Sequence, residues 1–277
     1  MIVVSAASGA LGRLVIDRLL ARRPAGRLVA AVRDPDAAAD LAARGVQVRH
    51  GDYDDPATLR TAFAGAGRLL LVSSPELDPA RRAGQHRAAI DAARAAGVGS
   101  VVYTSFLGAG TQADGMTAAH HTTERALAAA GVPHTLLRHP FYSEAFLHPG
   151  LRAAVASGEL ADGTGGRGLN TASRADLAEA AARVLTEDGH LGRAYDFTGG
   201  RWTYHQLADA LSRVGGRTVV RRDRRERAPG AQGWLEEQVR AGALELQTDD
   251  LRHVLGRPAT TLDQAVTALL ARPAPAE

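Results

Sequence analysis

Three features of the sequence predict an α/β fold: a doubly wound parallel sheet followed by a smaller C-terminal α/β lobe. The first is the opening. The apolar MIVV runs into SAASGALGR, Ser5–Arg13, and then into the amphipathic LVIDRLLARR, the layout of a strand, a tight turn and a helix. The second is a regular alternation of short β-rich runs and helical runs through the first half. The third is that several strands, RLLLVSS and SVVYTS among them, read as unbroken apolar runs. Such strands belong to a parallel sheet covered on both faces, and right-handed crossovers make it doubly wound.

In order, strands are expected at 2–5, 27–32, 46–50, 68–73, 100–105 and 134–138. Helices are expected at 11–22, 37–43, 56–64, 79–96 and 117–130, with GAG, GVG and AAGV segments as their stops. After Tyr142 the pattern changes. A short helix and the Gly-rich LADGTGGRG come first, then a helix over 174–185 entered through Ser173 or Asp176. A strand AYDF, a helix over 203–214, a strand RTVV and helices near 230–240 and 261–271 follow, and RPAPAE reads as a frayed tail. Residues 1–142 are expected to form a main domain, with 171–200 returning to it. Residues 143–170 and 201–277 form the smaller lobe, interleaved with the main domain and expected to bind substrate.

Composition excludes several chemistries. The 277 residues include no cysteine, which removes disulfides, thiolate nucleophiles and cysteine metal sites. All 33 basic residues are arginine, so no Schiff base or other lysine chemistry is available. The net charge of +3 points to no polyanionic partner. No apolar run is long enough to span a membrane. A strand starting at Ile2 leaves no room for a signal peptide, and a cytoplasmic location is expected.

The opening turn is a candidate dinucleotide-binding loop of Rossmann type. In such loops one glycine makes the tight turn, one admits the pyrophosphate, and one lets helix and strand pack closely. Gly9 and Gly12 keep this spacing, but Ala6 stands where the first glycine is expected. A methyl group there is costly if the native φ is positive. The plain alternative is a tight turn that binds nothing. The second strand ends in AAVRDP, which puts Arg33 where an arginine accommodates a 2′-phosphate, with Asp34 beside it and Arg13 as a second cation. Asp52, in HGDYDD, falls near the adenine edge, and Ser73 and Ser74 fall near the second ribose and the phosphates. All lie at carboxyl ends of strands, where open α/β sheets bind ligands.

At this point the chain resembles the NmrA-like, atypical short-chain dehydrogenases/reductases, and within them the NAD(P)H:quinone oxidoreductase branch. The matching pieces are SGALGRLV, AAVRDP, GDYDDPATL, LLLVSS, VVYTSFLGA, HHTTERAL, TLLRHPFYSE and ASRADLAEAAARVL, in order across about the first 200 residues. AYDFTGG and RPATTLDQAV match more loosely. The resemblance implies NADPH as cofactor, held by Ser5, Ala7, Ser8, Gly9, Ala10, Leu11, Gly12, Arg33, Asp52, Tyr53, Ser73, Ser74, Thr104, Pro140 and Phe141. It implies a substrate pocket touched by Phe106, Tyr142 and Glu144.

Many members of the wider superfamily carry a Tyr and a Lys four residues apart on one helix face. His120 and Glu124 occupy the matching positions here, and Ser105 matches the serine of that constellation. These three are the candidate catalytic residues. An unperturbed His120 would suit acid catalysis near neutrality. Alternatively, His120 and Glu124 orient each other or the nicotinamide ribose without proton transfer. Phe141 and Tyr142 either wall the substrate ring or pack in the core.

Other signals carry less. Ser8 lacks the glycines of a nucleophile elbow. No HExxH occurs and no metal is expected. The run Arg217–Arg227 has six arginines but reads as a solvated strand end rather than a nucleic-acid surface. The resulting expectation is an NADPH-dependent reductase of a quinone or related flat conjugated carbonyl, a monomer or homodimer without nucleic-acid or membrane partners. The competing readings are a non-enzymatic NADP(H)-sensing regulator and a biosynthetic reductase or epimerase of the same family.

Overall fold

The computed structural model describes residues 1–271; the tail RPAPAE lies outside them. The chain divides into two compact units, residues 1–139 with 177–197, and residues 140–176 with those from 198 onward. The division comes three residues earlier than the sequence suggested, and the returning segment is shorter. Pro140 has no N–H to extend the sheet, whereas Phe197 still donates its backbone N–H to the Arg138 carbonyl at 2.9 Å.

The first unit is built on seven strands: β1 (Ile2–Val4), β2 (Leu28–Val32), β3 (Gln47–His50), β4 (Arg68–Leu71), β5 (Ser100–Phe106), β6 (His134–His139) and β9 (Ala194–Asp196). Their order is β3-β2-β1-β4-β5-β6-β9, and every pairing is parallel. The order reverses between β1 and β4, and it is outside the carboxyl ends at such a switch point that open sheets bind ligands. β1 and β2 are buried at every residue, which accounts for their continuous apolar sequence. Connecting helices are α1 (Ala10–Leu20), α2 (Ala39–Ala43), α3 (Pro56–Phe63), α4 (Pro79–Ala95), α5 (Ala118–Ala130) and α7 (Arg174–Thr186), the last beginning in the second unit. α3 and α4 start alike: Asp55 and Asp78 accept N-terminal backbone N–H groups, and a proline fills the first helical position. Val3, Phe63, Leu69, Leu71, Ile90 and Tyr103 belong to the core of this unit.

The second unit contains α6 (Leu151–Ser157), β7 (Glu159–Asp162), β8 (Leu169–Asn170), β10 (Arg201–Trp202), α8 (Tyr204–Gly215), β11 (Val220–Asp223), α9 (Gly230–Arg240), α10 (Asp250–Leu255) and α11 (Leu262–Ala271). β7 pairs with β11 in parallel and β8 with β10 antiparallel. Phe146, Trp202, Leu207, Leu211 and Val239 belong to its core. The strand expected at RTVV begins only at Val220, where the ladder with β7 starts. Arg217, Arg222, Arg225 and Arg227 are exposed, as expected of a solvated strand end, whereas Arg221 pairs with buried Asp162 and Arg224 with buried Glu236. Those two acids cannot be seen as partners from sequence, because they lie on β7 and α9.

Candidate active site

The switch point opens on the turn between β1 and α1. Ala6 has φ of +47°, the left-handed region, so the methyl group sits in a conformation that favours glycine. It is the one non-glycine residue with positive φ among those described. Gly12 is constrained by contact instead: a Cβ there would lie 2.5 Å from the Ala6 carbonyl oxygen and 2.7 Å from Ala7 Cα. Gly9 is the N-cap of α1 and no side chain caps the helix. The first-turn N–H groups and the positive end of the helix dipole therefore face outward from a turn whose Gly9 and Ala10 are exposed.

At the end of β2, Asp34 folds back to accept the backbone N–H groups of Asp36 and Ala37. Arg33 is left exposed, with no hydrogen bond or ion pair among the described residues. Arg13 is not a second free cation. It pairs with Asp40 and donates to the Ala37 carbonyl, and the same guanidinium holds the Asp40 carboxyl below its usual range.

Further along the carboxyl edge, most of the expected side chains are bonded within the unit. The Val72 N–H donates to Ser5 Oγ at 2.9 Å, and Tyr53 Oη donates to the Val72 carbonyl at 2.6 Å while lying 2.6 Å from Ser5 Oγ. Burial pushes the Tyr53 phenol well above its ordinary range. Asp52 accepts the Asp54 N–H. Thr104 Oγ1 accepts the Ser73 N–H at 2.8 Å, and Ser74 Oγ donates to Gln85. Of this group only the Ser73 hydroxyl makes no hydrogen bond among the described residues. Ser5, Tyr53, Ser74 and Thr104 thus tie strand ends to one another.

The pair on α5 separates into two environments. Glu124 receives Arg138 of β6 in a bidentate pair, both contacts at 2.9 Å, and the Ser105 hydroxyl at 2.6 Å. Arg138 also lies 3.5 Å from Asp196 on β9. Gly110 makes room for it, since a Cβ there would lie 2.5 Å from the guanidinium. His120, one turn earlier, makes no bond to Glu124. Its Nδ1 lies 2.8 Å from Tyr103 Oη, and its ring lies 5.9 Å from that of Phe106. Burial, with Arg82 adding to it, lowers the His120 pKa to about 4. The ordinary imidazole pKa assumed from sequence does not hold, so His120 is neutral at pH 7. The expectation that His120 and Glu124 orient each other fails as well. His121 instead meets the Ala109 carbonyl at 2.8 Å.

Sequence reasoning missed Arg138, Tyr103, His86 and Arg82. Arg138 stands in TLLRHP and Tyr103 in VVYTS, both quoted as strands, but no spacing links a strand residue to a helix residue many positions away.

Within the second unit, Pro140 is buried. Phe141 packs edge-on to Phe146 and Trp234, with ring centres 6.3 and 6.0 Å away. The Arg174 guanidinium lies 4.4 Å from the Tyr142 ring centre, and Glu144 accepts the Arg174 backbone N–H at the start of α7. Ser173, the expected cap, accepts the Asp176 N–H. A cavity of about 370 Å³ in this unit is lined by residues including Ser143, Thr171, Thr198, Trp202 and Arg252.

Residues 6–188 match the family model described as NAD(P)H-binding. Along 97% of its length the chain is 39% identical to quinone oxidoreductase 2 of Escherichia coli, covering 98% of that protein. It is 28% identical, over 97% of its length and 94% of the relative, to an NmrA-like family domain-containing oxidoreductase of Aspergillus flavus. The chain belongs to the NAD(P)H-binding, NmrA-like family. It is an NAD(P)H-dependent oxidoreductase. Among solved structures, Citrobacter sp. triphenylmethane reductase complexed with NADP(H) superposes with a TM-score of 0.92 at 35% identity, covering 97% of this chain and all of that one. The E. coli NADPH-dependent quinone oxidoreductase complexed with NADPH gives 0.87 at 38%, covering 98% and 100%.

The β1–α1 turn fits the family's cofactor. Gly12 can carry no side chain, α1 is uncapped, and Gly9 lies open in front of it, which together make a cradle for a pyrophosphate. Arg33 has the charge and the freedom to meet a phosphate on the adenosine ribose. Ala6 departs from the glycine pattern without closing the turn.

Proposed function

We propose that this chain transfers hydride from NADPH to a quinone or a related flat, conjugated carbonyl. The bound nicotinamide supplies the hydride; the residues of the chain bind, orient and exclude water. The observation that carries the reading is the state of α5. No Tyr–Lys pair is present, His120 is buried and neutral, and Glu124 is committed to Arg138 and Ser105. A site without a strong acid suits an acceptor whose reduced anion is stable enough to take its proton from water. A simple ketone, whose alkoxide needs an acid, does not suit it. Phe106, beside His120, is the wall on which a flat ring would lie. Relatives named as a quinone oxidoreductase and as an NAD(P)H azoreductase of Xenophilus azovorans, 31% identical over 79% of this chain and 75% of the relative, also reduce conjugated acceptors by name. The choice of NADPH over NADH rests on Arg33.

The test is steady-state NADPH oxidation against a panel of quinones and simple ketones. Quinones turn over and ketones are poor substrates. His120→Ala lowers quinone turnover by about tenfold or less, below the ~10²–10⁴ of an essential general acid. A protein that binds NADPH and oxidises it with no acceptor overturns the reading in favour of a cofactor-sensing regulator.

A further inference from the structure

A chain of buried side chains leads from the backbone of Ser74 to His120, and its first link has only one possible polarity. The Ser74 N–H lies 2.9 Å from His86 Nε2. A backbone N–H can only donate, so His86 Nε2 carries the lone pair and His86 Nδ1 carries the proton. That proton goes to Thr123 Oγ1 at 2.9 Å, and Thr123 in turn donates to the Ala119 carbonyl at 2.7 Å. Tyr103 Oη lies 3.3 Å from the same His86 nitrogen, which already holds its proton and cannot accept another. Thr123 also interacts with the phenol, but its hydroxyl donates to the Ala119 carbonyl and faces the His86 proton, and the nearest acceptor for the phenol proton is His120 Nδ1, at 2.8 Å. If Tyr103 donates there, the His120 proton sits on Nε2, for which no acceptor occurs among the described residues.

The surroundings of His120 are electropositive at that end. Arg82, on α4, is partly buried; its Nε is buried without a hydrogen-bond partner, and Glu76, whose charge reaches it, pairs with Arg81 at 3.2 Å. Its charge reaches His86, His120 and Tyr103. Of the other ionisable groups near His120, His86 on α4 is fixed neutral by the Ser74 N–H and His139 on β6 is fully buried. Glu124, on α5 itself, is neutralised by Arg138.

We propose that Tyr103, braced by His86, is a positioning residue that holds His120 as the Nε2–H tautomer, and that His120 donates this hydrogen bond, within the positive field of Arg82, to the substrate carbonyl oxygen. This rests on the reading that the substrate is a conjugated carbonyl. Hydride adds to the conjugated system, the displaced electron pair moves onto the oxygen, and the N–H and the guanidinium stabilise that charge. The proton that completes the product comes from water. His120 therefore acts as a neutral hydrogen-bond donor, one of two groups facing the charge, and loses no proton in the step.

The experiment is ¹⁵N–¹H NMR of the histidine rings in the full chain, with His120 assigned by the loss of its signals in His120→Gln. The wild type gives an Nε2–H pattern that does not change between pH 5.5 and 8. In Tyr103→Phe the Nδ1 hydrogen bond is gone and the pattern becomes a mixture of tautomers. The same variant lowers kcat on quinones by roughly two- to fivefold, less than removal of His120 itself, because part of the Nε2–H population remains, with KM for NADPH unchanged. Arg82→Gln lowers kcat in the same direction. A wild-type His120 with its proton on Nδ1, or one that titrates near neutrality, overturns the proposal, as does a Tyr103→Phe enzyme with wild-type kcat. The ring spectra need no turnover, so an absence of any acceptor would sink the substrate reading while the tautomer is still read directly.

Discussion

The two ends of the candidate site are built on opposite plans. At the end formed by β1, α1 and β2, the groups offered to a ligand are the first-turn N–H groups of the uncapped α1 and an exposed arginine that makes no hydrogen bond or ion pair among the described residues. At the end formed by α4, β5, α5 and β6, the polar groups are buried and bonded to one another, from Ser74 through His86 and Tyr103 to His120, and from Ser105 through Glu124 to Arg138. An open end can be altered with little effect on the fold. A closed end cannot, because each group removed strands another in a poor solvent. Cofactor affinity and folding stability should accordingly respond to different residues of the same unit.

The largest expected effect lies at the closed end. Arg138→Met keeps the bulk but leaves the buried Glu124 carboxylate unpaired, and should cost about 3–5 kcal/mol in urea unfolding. The double variant with Glu124→Gln should recover much of that loss. A double variant as unstable as the single one would show that the arginine acts through packing alone.

Acid tests the same end. Burial lowers His86 and His139 to about 3 and His120 to about 4. Their unfolded-state pKa is about 6.5, so below that value the unfolded chain takes up protons that the folded chain refuses. Their contribution is complete above pH 6.5 and falls as the pH drops towards 4, by up to roughly 1.4 kcal/mol per histidine per pH unit. Thermal unfolding between pH 7 and 5 should show the decline, and His86→Gln should flatten it.

At the open end, Arg33→Ala should weaken NADPH about 10- to 100-fold in a binding titration and leave NADH nearly unchanged, with Tm in the absence of cofactor unaltered. Equal losses for both cofactors would remove the arginine from phosphate recognition. The smallest effect is that of Ala6→Gly. Relief of the positive φ should raise stability by roughly 1 kcal/mol, offset in part by the greater freedom of glycine in the unfolded chain. Cofactor affinity should hold or improve.

The contrast between the ends also explains what could be read from the sequence. The sheet was legible because buried parallel strands are written as continuous apolar runs, and the β1–α1 turn because its glycines are adjacent in the chain. The exposed place of Arg33 was legible because it follows directly from the end of a strand. The state of His120 was not, since it depends on Tyr103 and His86, which come from another strand and another helix. Glu124 likewise takes its meaning from Arg138 on β6. Phe141 shows another limit: the sequence left open whether it walls a ring or packs in the core, and its edge-on contacts with Phe146 and Trp234 come from residues that no spacing connects to it.

The last strand of the parallel sheet has a consequence for how the protein is made and cut. β9 pairs with β6, and Arg138 and Asp196, partners in that register, lie 58 residues apart in the chain. A ribosome that has released β6 has not yet synthesised the strand that covers it. Until then Leu136 and Leu137 stand on an open edge, the kind of edge that recruits strands from other molecules. A fragment ending at residue 139 would carry the whole glycine turn and the α5 network, yet should aggregate. One ending after Phe197 closes that edge but leaves Phe146 without Trp202, Leu207 and Val239, so it exchanges an open sheet edge for half of the second unit's core.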